Sequence, residues 1–138
     1  MAKKYIFDAC AIVAILKNEN GENVVQALLD EAKSESSQLF MTKLNLYEVY
    51  YGICREMGVI KAEITYDMVL GLPISIIENI SDNTMREAAR FKVAYKMSLA
   101  DSILLGEASA LSAAVVTSDH HEFDIVDKNS ELEFAWIR

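Results

Sequence analysis

Four acidic residues are candidates for chemistry because each lies near the end of a predicted strand or the start of a predicted helix. Asp8 ends a short β-type segment, and Asp119 follows a run of small and β-branched residues. Glu48 and Asp101 lie near the starts of two predicted helices. In a parallel sheet, the carboxyl ends of the strands and the helix starts that follow them meet at one edge. We therefore expect the four carboxylates to face one crevice.

Each acid also has a purely structural explanation. Asp8 can cap the helix that follows it, and Asp101 fits a capping box with Ser98. Asp119 can be an ordinary turn residue. Glu48 is harder to explain in this way, because its helical neighbours form a predicted apolar face on which an unpaired carboxylate would be costly. Its structural alternative is a tilt of the side chain toward solvent.

Several carboxylates in one pocket would point to a divalent cation. Like charges at close range raise one another's pKa, so a cation must neutralise them if they are to stay ionised together. Ligands made only of oxygen favour Mg²⁺ or Mn²⁺ over zinc. Such ions can activate a water, align it for in-line attack on phosphorus and stabilise the leaving oxygen. The acid pattern therefore predicts metal-dependent hydrolysis of a phosphodiester.

The elements that must position these acids are short apolar strands alternating with helices. Strands are predicted at 4–8, 39–42, 74–77, 113–117 and 133–137, and helices at 9–17, from 22 to the serine cluster at 34–37, and at 44–57, 59–70, 82–94 and 99–112. This alternation predicts right-handed crossovers and an α/β fold, a three-layer α/β/α sandwich around a central, mainly parallel sheet of four to five strands. No linker or repeat interrupts the 138 residues, so we expect a single domain over 1–138.

Composition narrows the possible functions. The chain has 13 Lys and Arg against 21 Asp and Glu, and a net charge of −8 argues against broad, metal-free binding of nucleic acid. Cys10 and Cys54 are too few for a disulfide scaffold, which favours a cytoplasmic location. The uncharged apolar segment 9–16 is too short to span a bilayer, so we expect no membrane association. An apolar fraction of 52% suggests either a partner interface or a dense core.

The residues around the four acids form motifs whose order and spacing can be compared with known families. They are Phe7-Asp8 before a helix of small residues, Tyr47-Glu48-Val49 with Gly52 after it, Ser98-Leu99-Ala100-Asp101-Ser102-Ile103, and Val115-Val116-Thr117-Ser118-Asp119 with Phe123 nearby. Across essentially the whole chain they resemble the PIN-domain nucleases, and the compact length is most similar to the VapC-type toxins. The resemblance implies a PIN-like fold and an Mg²⁺- or Mn²⁺-dependent endoribonuclease that a cognate antitoxin protein holds inactive.

The resemblance also implies site residues. The catalytic, metal-binding acids would be Asp8, Glu48, Asp101 and Asp119. Two positions depart from the family pattern: Cys10 stands where a Ser or Thr is common, and His121 stands where a further acid is common. Glu122 and Asp124 are possible substitutes for that acid. We favour Asp124, as an outer metal ligand acting through water.

Other side chains could serve the same site or an interface. Arg86, Arg90 and Lys96 precede Asp101 and are candidates for contacts with substrate phosphates, the alternative being a solvated helix face. The histidine pair at 120–121 could bind metal or move protons, or be exposed without a role. The apolar face predicted for the helix at 44–57, formed by Leu44, Tyr47, Tyr51 and Cys54, together with the apolar excess, suggests a homodimer.

Other enzyme classes that begin with a strand ending in Asp fit less well. An aspartyl-nucleophile phosphatase needs a second Asp at the position of Cys10, and a receiver domain needs an acidic pair where Ala9 stands. We therefore expect an endoribonuclease in which an activated water attacks phosphorus and leaves a 5′-phosphate, as the toxin of a toxin–antitoxin pair. An RNA-processing PIN nuclease without an antitoxin and a degenerate PIN domain acting as a binding scaffold are the alternatives.

Overall fold

A central parallel sheet organises the computed structural model, which describes residues 2–138. The strands are β1 (Lys3–Phe7), β2 (Ser37–Thr42), β3 (Ile74–Ile77), β4 (Ala114–Thr117) and β5 (Phe134–Trp136). The helices are α1 (Ala9–Leu16), α2 (Glu22–Lys33), α3 (Lys43–Met57), α4 (Val59–Leu70), α5 (Asp82–Ala94), α6 (Leu99–Leu111) and α7 (His120–Asn129). Neighbouring strands pair in the order β3-β2-β1-β4-β5, and every pair is parallel. The predicted α/β sandwich is confirmed.

The helices form two layers, one on each face of the sheet. Ile6 and Phe7, adjacent in β1, are both fully buried but belong to different apolar clusters, because successive side chains of a strand point to opposite faces. Phe7 packs with residues of α1 to α4, and Ile6 packs with residues of α5 to α7. The sheet is thus covered on both faces, which explains its continuous apolar runs.

The strand order creates a crevice beside β1. The chain adds β2 and β3 on one side of β1 and then crosses to add β4 and β5 on the other side. Phe7 lies opposite Val116 in the register of β1 and β4, so both strands end at the same level. In open parallel sheets, ligands bind where the strand order reverses in this way. Asp8 and Asp119 follow the two strands that flank this point.

One helix was not predicted. The two histidines at 120–121 begin α7, which follows β4 directly. Asp119 caps this helix by accepting a hydrogen bond from the backbone N–H of Glu122 at 3.1 Å, and Phe123 and Val126, one turn apart, are buried. An Asp three residues before a Glu, followed by apolar residues at helical spacing, was the available signal.

The prediction of which face of α3 is buried was wrong. The buried residues are Asn45, Leu46, Val49 and Ile53. Tyr47 is 60% exposed and packs edge-to-face against Tyr51 on the outer side of the helix. A buried asparagine therefore lies on the core face, and two aromatic rings remain outside it.

Close packing of α5 against α6 sets the position of α6. A Cβ at Gly106 would lie 2.6 Å from the backbone nitrogen of Ala88 and 2.7 Å from the carbonyl oxygen of Thr84. Only glycine allows the two helices to approach so closely.

No helix within residues 2–138 is long and apolar enough to cross a membrane.

Candidate functional site

Asp8 is the most deeply buried of the four candidate acids, with 7% of its surface exposed. It is the N-cap of α1, and its carboxylate accepts hydrogen bonds from the backbone N–H of Ala9 at 2.8 Å and the hydroxyl of Thr117 at 2.9 Å. Burial raises the pKa of Asp8, and the charge of Asp119 raises it further. Asp8 therefore has the capping role considered from the sequence and also faces the crevice.

Thr117, the last residue of β4, connects the two strands that flank the crevice. Its fully buried hydroxyl donates to Asp8 and accepts a hydrogen bond from the backbone N–H of Asp119 at 3.0 Å. The Cys10 thiol lies 3.4 Å from the same hydroxyl and accepts from the backbone N–H of Ser118 at 3.3 Å. Thr117 was not among the residues predicted for the site. A hydroxyl residue at the end of a buried strand, two positions before an acid, was the available signal.

Glu48 lies on α3 and is held by a buried polar chain. The amide of Asn45 donates to the Glu48 carboxylate at 2.7 Å. The hydroxyl of Thr42, the N-cap of α3, donates to the side-chain oxygen of Asn45 at 3.0 Å. Burial raises the pKa of Glu48, the hydrogen bond from Asn45 opposes that rise, and the charge of Asp8 adds to it. Sequence reasoning missed Asn45, which is fully buried.

Asp101 is in the first turn of α6. Ser98 caps this helix by accepting from the backbone N–H of Asp101 at 3.1 Å, as the predicted capping box requires. The pKa of Asp101 is raised to about 7, first by burial and then by the charges of Asp8, Glu48 and Glu122. Acids from the end of β1, from α3 and from α7 therefore lie within electrostatic range of Asp101 on α6.

The acids of α7 point in different directions. Glu122 is half-buried and its charge acts on Asp101. Asp124 is exposed and forms a 2.7 Å hydrogen bond with His120. The ring of His120 stacks on Trp136 with a centroid distance of 3.9 Å, so this histidine ties α7 to β5. Asp124 stays a predicted outer ligand, but Glu122 is the acid of α7 whose charge reaches the crevice.

The three basic residues predicted to contact phosphate differ in whether they form ion pairs within the fold. Arg90 forms salt bridges with Glu87 at 2.9 Å and with Glu131. Arg86 and Lys96 are exposed, and neither forms an ion pair within the described part of the chain. Of the three residues proposed to bind phosphate, Arg90 is therefore the one with its guanidinium already occupied.

The crevice offers carboxylate oxygens, which are the ligands that a hard divalent cation prefers. The charges of these carboxylates raise one another's pKa. As the side chains stand, no group of three or more Asp, Glu, His or Cys residues among positions 2–138 could hold a metal ion. Ionised carboxylates repel one another, so drawing several of them onto one point requires the charge of the cation itself.

The chain was compared with known proteins. Residues 5–129 match the family model described as the PIN domain. No curated protein matches the sequence. Solved structures give many matches in fold.

Three structural neighbours illustrate the likeness. DNA-bound VapBC from Salmonella typhimurium has a TM-score of 0.75 at 12% identity over 100% of both chains. VapBC2 from Rickettsia felis, bound to a DNA fragment from the promoter, has a TM-score of 0.73 at 18% identity over 96% of this chain and 98% of that one. VapC20 from Mycobacterium tuberculosis, described as a Sarcin-Ricin loop cleaving toxin, has a TM-score of 0.60 at 11% identity over 80% and 86%. At these identities the likeness shows a shared fold.

Proposed function

This chain belongs to the PIN-domain family, and on that premise we propose that it is an Mg²⁺- or Mn²⁺-dependent endoribonuclease. The observation that carries the proposal is the convergence of charge on Asp101. The charges of Asp8, Glu48 and Glu122, which come from three other elements, raise its pKa at the carboxyl edge of the sheet. Four acids brought within electrostatic range by tertiary structure are poorly explained by local capping alone.

The chain's own residues would fix the carboxylate oxygens in place. Thr117 holds Asp8, Asn45 holds Glu48, and the N-terminal turn of α6 presents Asp101. Asp119 completes the proposed set from the start of α7. A divalent cation bound there would supply positive charge to the phosphate and lower the pKa of a water. The carboxylates would orient that water for in-line attack, with departure of the 3′ oxygen and a 5′-phosphate on the product.

A cleavage assay tests the proposed activity. Purified protein should cut structured RNAs with Mn²⁺ present and lose that activity in EDTA. The variant Asp101→Asn should lose activity because it removes one proposed ligand. Equal cleavage by wild type and variant would identify a contaminating nuclease and reject the proposal. Failure of Mn²⁺ to bind in calorimetry would favour a non-enzymatic scaffold.

We also propose that the protein is a toxin held inactive by a cognate antitoxin. One fold neighbour is described as a toxin–antitoxin complex and others are described as VapBC. On α4, Ile60, Ile64 and Met68 repeat at helical spacing and are 77%, 57% and 41% exposed. This apolar stripe suits an amphipathic segment of a basic partner, because the chain itself is acidic. Co-purification with the product of a neighbouring small reading frame would support the toxin over a stand-alone RNA-processing nuclease.

We further propose that residues 1–138 form one domain and that this domain is a homodimer. The Tyr47 and Tyr51 rings leave an aromatic surface on α3 that is not used in the core. Light scattering should give twice the monomer mass of 15.4 kDa at micromolar concentration. A species of monomer mass alone would reject the dimer.

A further inference from the structure

A second concave site lies beside the candidate active site, and we propose that it binds a guanine base of the RNA substrate. We call it the Glu107 pocket. It has a volume of about 210 Å³ and lies between the start of α3, the segment after β3 and α6. The inference deepens the proposed function, because it concerns how the same enzyme would select its substrate.

The feature that points to a ligand is the carboxylate of Glu107. This side chain is only 8% exposed, and it lines the pocket. Among residues 2–138, no group donates a hydrogen bond or an ion pair to it. No side-chain oxygen among residues 2–138 is both sealed from solvent and without a partner, so the Glu107 oxygens reach water through the pocket. The pocket therefore presents acceptor oxygens whose water partners the donors of a ligand could replace.

The walls of the pocket suit a flat, apolar surface. Leu44, Ile77, Ile80 and Ile103 contribute aliphatic side chains from the three elements around it. Apolar side chains commonly pack against the faces of extruded bases while polar groups bond their edges. A phosphate inside the pocket would be repelled by the Glu107 carboxylate.

Among the four RNA bases, guanine matches the carboxylate best. Its Watson–Crick edge carries two adjacent donors, the N1–H and the N2 amino group, which can bond both oxygens of one carboxylate. Adenine and cytosine each offer a single amino donor on that edge, and uracil offers a single N–H. A carboxylate accepting two hydrogen bonds is also stabilised in its ionised form.

The location favours a base of the substrate over a basic side chain of a protein partner. Glu107 lies six residues after Asp101 on α6, which is about 9 Å along the helix axis. Residues 42–44 at the start of α3, one turn before Glu48, also line the pocket, so both helices that carry proposed acids border it and a neighbouring nucleotide could reach it. Lys43 also lines the pocket and forms a salt bridge with Glu78 at 3.4 Å. Glu78 offsets the positive charge of Lys43, so discrimination between a base and an arginine rests on the aliphatic walls of the pocket.

Nucleoside binding tests this inference independently of cleavage. Guanosine, inosine and adenosine carry no phosphate, so they need no metal and cannot be hydrolysed as phosphodiesters. Titrations of wild-type protein by NMR in EDTA should show guanosine binding about tenfold more tightly than inosine, which lacks the N2 amino group, because a charge-assisted hydrogen bond is lost. Adenosine should bind no better than inosine.

Two variants assign any preference to the pocket. Glu107→Gln keeps the shape but replaces one acceptor by a donor, and it should reduce the guanosine preference to within about twofold. Glu63→Gln, an equal charge change at an exposed position of α4, should leave the preference intact. Neither variant should lower the melting temperature, whereas a structural role for Glu107 predicts a loss of stability in Glu107→Gln.

The outcomes separate this inference from the nuclease proposal. Equal binding of the three nucleosides, or a guanosine preference that survives in Glu107→Gln, overturns the guanine pocket even if RNA is cleaved. Glu107-dependent binding of N-acetylarginine amide without guanosine binding also overturns it and assigns the pocket to a protein partner. Glu107-dependent guanosine binding upholds it even if no RNA is cleaved. With active enzyme, cleavage should occur at a fixed distance from a guanine and lose that register in Glu107→Gln.

Discussion

At the scale of single residues, the candidate site places acidic side chains close enough to repel one another when they are ionised. Burial and neighbouring charge raise the pKa of Asp8, Glu48 and Asp101. Each ionised carboxylate therefore makes the others harder to ionise, and the folded state carries the cost. Neutral side chains compensate in part, because Thr117 and Asn45 donate hydrogen bonds to two of the three acids. Such an arrangement is typical of sites selected for function at the expense of stability.

Replacing Asp101 should therefore stabilise the metal-free protein. The pKa of this acid is about 7 in the fold against an ordinary value of 3.8, so at a pH near 8 it is ionised in both the folded and unfolded states and the full cost is present. After allowance for partial exposure, we expect Asp101→Asn to gain about 1–2 kcal/mol, or roughly 5 °C in melting temperature, in EDTA. Differential scanning fluorimetry measures this.

A matched control for that experiment is Asp67→Asn on α4, where the acid is exposed. It should change the melting temperature by little. A lower melting temperature for Asp101→Asn than for wild type would show that the local capping role of Asp101 outweighs the repulsion.

Thr117 should control metal affinity rather than stability alone. Thr117→Val keeps the shape of the side chain and removes the hydroxyl that joins Asp8 to the turn at Asp119. We expect a loss of about 10–100-fold in Mn²⁺ affinity by calorimetry. Thr65→Val, at a buried threonine of α4, should bind Mn²⁺ like wild type. Unchanged affinity in Thr117→Val would remove the positioning role.

At the scale of elements, the position of α6 decides where both Asp101 and Glu107 lie. The helix is held against α5 at Gly106, where a side chain would overlap the backbone of Ala88 and Thr84. The start of α3 is fixed separately, by the Thr42 cap and the buried amide of Asn45. The two helices that carry Glu48 and Asp101 are therefore each held in place by contacts of their own.

Two glycine-to-alanine variants should have opposite effects. Gly106→Ala forces α5 and α6 apart and should destabilise the protein by about 1–3 kcal/mol, with reduced activity because Asp101 moves. Gly52→Ala, on α3, has no atom within 4 Å of the added Cβ and should stabilise by about 0.5–1 kcal/mol. Chemical denaturation measures both. A neutral effect of Gly106→Ala would show that the contact is not tight.

At the scale of the whole molecule, the net charge of −8 repels the phosphates of RNA. Binding of RNA by this protein would therefore need a divalent cation to offset that charge. A cation that binds only the folded state also stabilises it. At a concentration 100 times its dissociation constant, Mn²⁺ should add about 2.7 kcal/mol, a shift of several degrees in melting temperature. Asp8→Asn should lose most of that shift. The same shift in wild type and Asp8→Asn would place the binding elsewhere.

The sequence by itself determined the fold class and the place of the four acids in the chain. Short apolar strands alternating with periodic helices leave few arrangements other than a covered parallel sheet, and acids after strand ends must lie at its carboxyl edge. Helix α7 could also have been predicted from the sequence, because the Asp119 cap and the helical spacing of the buried residues from Phe123 onward are local signals.

Only the tertiary structure decided which residues support those acids. Thr117 bonds to Asp8 across more than a hundred residues of chain, and no local pattern encodes that pairing. The buried face of α3 was misjudged for a related reason: a helix is buried where its neighbours cover it, and here they cover Asn45 and leave Tyr47 outside. Local sequence sets periodicity and caps, whereas burial and charge coupling depend on distances that exist only after the chain has folded.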